Sequence, residues 1–449
     1  MKRNLLQKVF IFSLSCMLIL ISAGFSTDNK SFADPDNEAD TKRTLKVLYW
    51  DEEAFKRTYG DLFSKEYPNT DIQVVKVTDA LDDIKLIEKH SPDLVMLDPY
   101  NYKQMAKENK LVDLDPLIKR DHYDTTTLYP SLLAELKRQG GGKLYGLSPK
   151  VGSYAIMYNV DLFKKYNVKL PKDGMTWEEI FKLASKFPTK GDKDSRIWGL
   201  SSNIDPMEIS RTEGLIGIDP NTLKATANTT AWKKAYQLSI EANNSGVIPQ
   251  GNLSTKNYYE SSAFIMGRSA MAVSPISMLK DLKAANSGVK NYKPFTLGMA
   301  AGPADPKDRK STGNINISNI FAIPASASNV DAAWDFIKYF HGDDYAKEYY
   351  KPSNSNNSIG DPLSRMIKEY SGYSVDAFYK LRPNLDLSIT RNALYKKSYN
   401  VEGKFMEILS KQLKLVADKK KTLKQAVTAI QSQTQAAADK VKKAQKAKK

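Results

Sequence analysis

The stretch at residues 143–158 constrains the fold more strongly than any other part of the 449-residue chain. It contains two short extended runs, at residues 143–147 and 154–158, joined by Ser-Pro-Lys-Val-Gly-Ser at 148–153. Serine, proline and glycine are turn residues, but six residues between two strands leave almost no room for a separate turn. We therefore predict that the chain crosses here from one lobe of the protein to another.

Strand and helix patterns alternate before this crossing. The apolar runs at residues 45–50, 72–77 and 93–97 predict three strands, and apolar residues with helical spacing lie between them. This alternation predicts parallel strands with right-handed crossovers. If the strand order is 2-1-3, the loops after the first and third strands are neighbours, at the carboxyl edge where open parallel sheets bind ligands.

Both loops carry acidic and aromatic side chains. Trp50, Asp51 and Glu52 follow the first strand, and Asp98 and Tyr100 follow the third. Carboxylates accept hydrogen bonds from sugar hydroxyls, and an aromatic face packs on the C–H face of a sugar ring. The pattern is thus typical of a carbohydrate site. A structural alternative stays open, in which Trp50 completes a buried strand and Asp51 and Asp98 cap helices.

The residues after the crossing predict a second sheet with loops of its own. A capping box at residues 176–179 marks a helix start. Ser274 ends a predicted strand and precedes another helix start, whose backbone donors suit an oxygen-rich ligand. A second crossing is predicted at residues 300–305. Gly313 and Asn314 are expected to approach the ligand, because glycine permits close backbone approach.

Four separated motifs occur in an order that resembles extracellular solute-binding proteins of the maltose-binding type. They are Leu-Tyr-Gly-Leu at 144–147, the linking residues 148–153, Tyr-Asn-x-x-Leu-Phe at 158–163 and Thr-Trp-x-Glu at 176–179. Two further runs are similar to family motifs, namely Phe-Ile-Met-Gly-Arg-Ser-Ala-Met at 264–271 and Ala-Ala-Trp-Asp-Phe at 332–336. The resemblance extends over roughly residues 44–440.

The resemblance implies an α/β fold of the two-lobed periplasmic-binding-protein type II class, each lobe being an open, mostly parallel sheet flanked by helices. Lobe 1 would comprise residues 44–149 and 304–355, and lobe 2 residues 150–303 and 356–440. The family implies a monomer without catalysis, cofactor or metal ion. Such a protein captures a small solute between its lobes and delivers it to the membrane subunits of an ABC permease. Sugars and oligosaccharides are the expected solutes, and peptides or other small solutes stay open.

Further cleft residues are implied by the resemblance alone. In relatives, the strand that contains the Trp-Gly pair and the loop after it line the cleft, which brings in Ser202 and Asn203. The crossing supplies Ser153 and Tyr154. Tyr258 or Tyr259 is expected to complete the cleft wall from the second lobe.

The first 33 residues have the pattern of an export signal. An apolar run at residues 9–25 is followed by Ser-Phe-Ala at 31–33, so the mature chain would begin at Asp34, with a linker to residue 43. An uncleaved membrane anchor is the alternative. The only cysteine, Cys16, lies inside the apolar run, so neither lipidation nor a disulfide is expected. A secreted, extracytoplasmic protein associated with the cell surface is predicted.

The positive charge is concentrated at the end of the chain. Residues 419–449 hold ten lysines and one aspartate, which accounts for nine of the sixteen net positive charges. A lobe-wide basic stripe that could bind nucleic acid is therefore not indicated. The basic tail at 441–449 is expected to fray in solution, with contact to anionic wall polymer or lipid headgroups as the alternative.

Catalytic motifs are lacking in the sequence. The three histidines are scattered without metal-ligand spacing, and no Walker, dinucleotide-binding or Gly-x-Ser-x-Gly motif occurs. Carboxylates are plentiful, so a glycosidase pair stays open. A secreted carbohydrate-active enzyme and a basic cell-wall-associated binding protein are therefore the alternatives to a solute-binding protein.

Overall fold

The computed structural model describes residues 42–77, 84–192, 196–249, 256–317, 319–351, 363–397 and 401–447. The predicted export signal, its cleavage site and Cys16 lie outside the described residues, as does all but the end of the predicted linker. Among the helices that are described, none is both long and apolar enough to cross a membrane.

Strands and helices alternate through most of the described chain. The strands are β1 (Arg43–Tyr49), β2 (Thr70–Lys76), β3 (Val95–Leu97), β4 (Gly146–Leu147), β5 (Tyr154–Asn159), β6 (Trp198–Leu200), β7 (Ser269–Pro275), β8 (Leu297–Ala301), β9 (Ser311–Thr312), β10 (Ile320–Ala322), β11 (Glu369–Tyr370), β12 (Tyr373–Ser374) and β13 (Arg382–Pro383).

Helices flank these strands, and a π-helical turn (Lys56–Gly60) and a 3-10 turn (Asp376–Tyr379) supplement them. The helices are α1 (Glu52–Phe55), α2 (Asp61–Glu66), α3 (Ile84–His90), α4 (Pro99–Lys107), α5 (Asp115–Arg120), α6 (Pro130–Gln139), α7 (Val160–Lys165), α8 (Trp177–Ala184), α9 (Pro206–Glu213), α10 (Thr230–Asn244), α11 (Tyr258–Ser261), α12 (Ser277–Gly288), α13 (Val330–Phe340), α14 (Asp343–Tyr349), α15 (Asp386–Lys397), α16 (Val401–Ala417) and α17 (Leu423–Ala447).

The first sheet has the strand order β2-β1-β3-β10-β4. β1 and β2 are parallel, and a parallel bridge between Val47 and Leu94 joins β1 to the start of β3. The order 2-1-3, on which the position of the two loops depends, is therefore the order observed. β10 lies between β3 and β4 and runs antiparallel to both, with Phe321 opposite Met96 on one side and Leu147 on the other.

The second sheet has the order β6-β7-β5-β8. β6 and β7 are parallel, whereas β5 runs antiparallel to both β7 and β8. Each sheet therefore has a single strand that runs against the others, β10 in the first and β5 in the second, so both sheets are mostly parallel, as expected. Each of these two strands follows a crossing from the other sheet.

Two hydrophobic cores hold the sheets and helices together. The first core surrounds the first sheet, with Phe321 and Trp334, and extends to one face of the second sheet and to α12, with Leu279. The second core surrounds α8, α10 and α16 and includes Trp232. β5 contributes to both, because alternate residues of a strand face opposite sides. Met157 lies in the first core and Ile156 in the second.

The predicted capping box is confirmed. The Thr176 hydroxyl accepts a hydrogen bond from the Glu179 backbone N–H at 3.3 Å, and the Glu179 carboxylate accepts one from the Thr176 N–H at 3.0 Å. Trp177 is buried, as predicted, and its indole N–H donates to the Thr212 hydroxyl at 2.9 Å. The capping box therefore fixes the start of α8, and the hydrogen bond from Trp177 to Thr212 holds α8 against α9.

The prediction that the basic tail frays is wrong for the described residues, because α17 continues to Ala447. Lysine, alanine and glutamine, which make up most of this segment, have high helix propensity, so the helix continues after its buried face ends.

Candidate ligand-binding site

Trp50 lies at the carboxyl edge of the first sheet and is exposed to solvent. Its side chain is 51% exposed and stacks on Tyr49, with 3.8 Å between ring centroids. β3 and β4 run in the same direction as β1, so Asp98 and the start of the crossing at Ser148 lie at the same edge. Trp50 does not complete a buried strand, and an aromatic face is available beside the crossing.

Asp51 is a helix cap. One of its carboxylate oxygens accepts the Ala54 N–H at 2.9 Å, and the other lies 3.8 Å from the Lys76 ammonium. Glu52 is exposed, and its carboxylate lies 3.2 Å from the Lys56 ammonium. The alternative that Asp51 caps a helix is therefore correct. The Asp51 and Glu52 carboxylates also have cationic neighbours, namely Lys76 and Lys56.

Asp98 is a cap as well, and it faces a helix from the end of the chain. Its carboxylate accepts the Asn101 N–H at 2.7 Å and lies 3.4 Å from the Lys396 ammonium of α15. Tyr395 is 51% exposed and adjoins Lys396, whereas Tyr100 is half-buried against the first core. The sequence analysis missed Tyr395, since its neighbours show ordinary surface-helix polarity and only the packing of α15 on α4 brings it to this edge.

Three predicted residues meet at one edge of the second sheet. β6 and β7 end at this edge and β5 begins there, which brings Ser202, Ser274 and Tyr154 together. The Ser202 hydroxyl accepts the Val273 N–H at 2.7 Å and donates to the Val273 carbonyl at 3.1 Å. Ser274 is buried, whereas Tyr154 is 40% exposed. Tyr154 thus presents an exposed aromatic ring at this edge.

Asn203 and Tyr258 have different surroundings. Asn203 is exposed in the loop after β6. The Tyr258 hydroxyl donates to the Asp281 carboxylate of α12 at 3.2 Å, and burial raises the pKa of Tyr258 to about 12. Tyr258 also packs edge-on against Tyr259, with 5.4 Å between ring centroids. Tyr258 therefore packs against α12 and its own neighbour.

The two sheet edges border a region that we call the seam, formed by the connecting residues 148–153, 302–317 and 363–385. Gly152 and Asn316 exchange two backbone hydrogen bonds of 2.8 Å across it. β9 pairs with β13 in the same region. Two side-chain atoms, the Ser153 hydroxyl and the Asn314 amide nitrogen, are buried there without a hydrogen-bond partner among the described residues.

These two polar atoms line a small cavity of about 10 Å³ in the seam. Its walls also include Tyr154, the peptide segment at Gly302 and the Phe378 ring. A buried polar group without a hydrogen bond costs about 1–3 kcal/mol. A cavity of this size has room for about one water molecule. The seam therefore holds unused hydrogen-bonding capacity next to an exposed aromatic side chain.

The backbone of Gly313, which was expected to approach a ligand, lies against the end of α9. A Cβ atom at this position would lie 2.3 Å from the Arg211 carbonyl oxygen, and the Gly313 N–H donates to the Thr212 carbonyl at 3.2 Å. The end of α9 therefore explains the glycine, and Asn314, its neighbour, carries the polar group that faces the cavity.

His341, which follows α13, is part of the packed core. His341 is fully buried, its Nδ1 lies 2.7 Å from the Ile337 carbonyl oxygen, and burial lowers its pKa to about 4. Within the described ranges, no three His, Cys, Asp or Glu side chains are grouped closely enough to hold a metal ion.

Two mixed sheets joined by short crossings, with polar and aromatic side chains at the seam, define a class of two-lobed binding proteins. The sequence model of the bacterial extracellular solute-binding proteins matches residues 48–357, and the chain belongs to this family. The family resemblance inferred from the sequence is thereby confirmed.

A characterised relative gives a partial match. The arabinooligosaccharide-binding protein of Bacillus subtilis (strain 168) is 28% identical over 182 residues, which span 38% of this chain and 40% of that relative. The chain therefore matches less than half the length of that protein.

Solved structures match over nearly their whole length. A sugar transporter from Rhizobium etli in an open conformation is 19% identical, with a TM-score of 0.59 over 88% of this chain and 99% of that chain. A family 1 extracellular solute-binding protein from Alicyclobacillus acidocaldarius is 17% identical, with a TM-score of 0.57 over 89% and 99%. The sugar-binding protein MalE from Xanthomonas citri is 16% identical, with a TM-score of 0.53 over 88% and 98%. At these identities the likeness concerns the fold, which is the two-lobed α/β fold expected from the sequence.

Proposed function

We propose that this protein is the solute-binding component of an ABC importer, which takes up a sugar or oligosaccharide between its lobes and delivers it to a membrane permease. The observation that carries the proposal is the pair of buried, unpartnered polar groups in the seam, Ser153 and Asn314. Sugar hydroxyls both donate and accept hydrogen bonds, so one hydroxyl group could satisfy both side chains.

Exposed aromatic side chains support a carbohydrate. Among the described residues, five large hydrophobic side chains are exposed, and three of them are aromatic, namely Trp50, Tyr154 and Tyr395. All three lie at the sheet edges or on the helix that borders the seam. Aromatic faces combined with a few polar groups are the usual lining of a small-molecule site.

The lobe boundaries follow from the crossings. We assign residues 44–149 and 304–355 to lobe 1 and residues 150–303 and 356–440 to lobe 2. Within the last segment, Tyr379 packs edge-on against Tyr129 of lobe 1, and the 3-10 turn Asp376–Tyr379 lies against β5 and β8 of lobe 2. We infer that residues 363–385 are a third connection between the lobes.

The lobes must separate to admit a sugar. A cavity of about 10 Å³ is far too small for a monosaccharide, so the seam has to widen by rotation about its three connecting segments. Closure over the ligand then removes its hydroxyls from water. Each hydroxyl must be hydrogen-bonded in the closed form or lose about 1–3 kcal/mol, which is the source of specificity.

A thermal-shift screen of the mature chain, residues 34–449, tests this function. Arabino- and malto-oligosaccharides of two to six units are the first ligands, with a peptide mixture as the control. A sugar at 100 times its dissociation constant should stabilise the folded protein by about 2.7 kcal/mol. Stabilisation by peptides alone would overturn the carbohydrate assignment.

The same incubations separate binding from catalysis. We propose that the solute is released unchanged, so chromatography after prolonged incubation should recover the intact oligosaccharide. Shorter products that accumulate with time would instead support a secreted carbohydrate-active enzyme.

A further inference from the structure

The last turns of α17 extend beyond the body of the protein. Ala438 is the last buried residue of this helix, and Val441 is half-buried. The following six residues, 442–447, are all exposed although they are helical. Six helical residues span about 9 Å and more than one full turn. Every face of the helix is therefore in contact with solvent over this length.

Lysines occupy one side of this exposed end. Lys440, Lys443 and Lys446 are spaced by three residues, and Lys442 lies four residues before Lys446, so all four share a broad face of the helix. None of the four has an ion-pair partner among the residues that the structure describes. The nearest acid in sequence, Asp439, accepts a hydrogen bond from the Gln435 amide at 3.0 Å. Asp439 lies three and four residues before Lys442 and Lys443, on the same side of the helix, so the four lysines and this carboxylate together carry a net charge of +3.

Small side chains make up the remaining surface of this end. Val441 and Ala444 lie on the side opposite the lysines, and large apolar or aromatic side chains are absent from the sequence after Asp439. A helix of this composition cannot insert into a hydrocarbon layer. It can lie against a surface that attracts its charge.

We propose that the exposed end of α17 binds the anionic phosphate headgroups of a lipid bilayer. A rigid helix with lysines on one side matches a flat, negatively charged surface. A flexible polyanion could contact a helix from any side and would not require a one-sided arrangement. Lysine attracts phosphate as a compact point charge, and each lysine near an anionic membrane contributes about a fivefold increase in affinity. The exposed end of α17 would hold the protein near the bilayer whether or not its solute is bound.

Vesicle co-sedimentation tests the proposal. The mature chain should sediment with phosphatidylglycerol/phosphatidylcholine vesicles at low ionic strength and should be released by 0.5 M salt, because salt screens exposed charges. The variant K440Q/K442Q/K443Q/K446Q should bind at least tenfold more weakly. The control K164Q/K169Q/K186Q/K233Q changes four other exposed lysines by the same total charge and should bind like the unchanged protein.

Three outcomes would overturn the proposal. They are equal binding to pure phosphatidylcholine vesicles, equal loss of binding in both quadruple variants, and binding to soluble poly(glycerol phosphate) without binding to vesicles. The last result would assign the helix to wall polymer. Circular dichroism and thermal unfolding establish that each variant folds. Solute binding is measured in a separate experiment without vesicles, so either proposal can fail without the other.

Discussion

Ser153 has a buried hydroxyl that the described residues leave without a hydrogen bond. Ser153→Ala should therefore lower affinity for the solute by about 1 kcal/mol or more, because a ligand hydroxyl loses its partner. It should leave the ligand-free protein as stable as before or slightly more stable. Calorimetric titration and thermal unfolding measure the two effects. Ser287→Ala, at an exposed site on α12, is the control and should change neither; a large loss of stability in Ser153→Ala would show that the hydroxyl is structural.

Trp50 offers a stacking surface that the protein itself does not cover. Trp50→Ala should weaken sugar binding by about 0.5–1.5 kcal/mol through lost stacking. Leu170→Ala removes a side chain of similar exposure away from the seam and should leave affinity unchanged. Equal affinities for the two variants, measured by titration calorimetry, would exclude Trp50 from the site.

Glu213, the last residue of α9, provides a test of pH dependence at the border of the seam. Burial, and secondarily the nearby Asp305 carboxylate, raise its pKa from 4.5 to about 7. The folded state therefore binds a proton more tightly than the unfolded state, and stability is lost as pH rises from about 4.5 to 7. Below pH 4.5, Glu213→Gln should have the same free energy of unfolding as the unchanged protein. Above pH 7 the variant should be more stable by about 1 kcal/mol, a value already lowered because solvent screens the partly exposed side chain.

Thermal unfolding at pH 4.5, 6 and 8 measures this difference. Glu260→Gln, at an exposed position, is the matched control. A Glu213→Gln offset that does not grow with pH would contradict the assignment.

Sequence patterns identified the residue types of the site better than their individual roles. Ser153, Tyr154 and Asn314 were predicted and do line one cavity. The sequence could not decide whether the Trp50 side chain is buried or exposed, because a residue that follows a strand can be either. The space around Gly313 is filled by Arg211, more than a hundred positions earlier, and Tyr395 reaches the edge of the first sheet only through helix packing. Both depend on tertiary contacts that have no local signature.

Among the elements, the loop after β9 is held by the close contact between Gly313 and α9. Gly313→Ala should destabilise the protein by about 1–3 kcal/mol, since a Cβ atom would lie 2.3 Å from a backbone carbonyl that cannot move without shifting α9. Chemical denaturation measures the loss. Gly288→Ala, whose Cβ would meet nothing within 4 Å, is the matched control and should be neutral. Unchanged stability of Gly313→Ala would imply that the loop is free to move and could approach a ligand.

Most helices and strands could be predicted because their signals are local. The reciprocal hydrogen bonds of Thr176 and Glu179 require only adjacent residues, and the alternating apolar positions of β1 and β2 give strands directly. The direction of the strands within each sheet was harder to predict. β5 and β10 are inserted antiparallel by crossings whose geometry depends on both sheets, so a local pattern cannot supply it.

The whole molecule should change shape on binding its solute. Three connecting segments join the lobes, and the seam must widen to admit a sugar, so the ligand-free protein in solution should be more open than the loaded form. Small-angle X-ray scattering should show a smaller radius of gyration at saturating sugar than without it. A non-binding sugar of the same size serves as the control. Superimposable curves for the free and saturated protein would contradict the hinge.

The position of β10 governs the order in which the chain can fold. This strand lies between β3 and β4, and β4 pairs with no other strand in the described part of the protein. The first sheet therefore cannot be completed until residue 322 has left the ribosome, although most of its strands are made much earlier. Contacts between such distant parts of a chain form slowly. The edges of β3 and β4 that pair with β10 therefore stay open until late in synthesis.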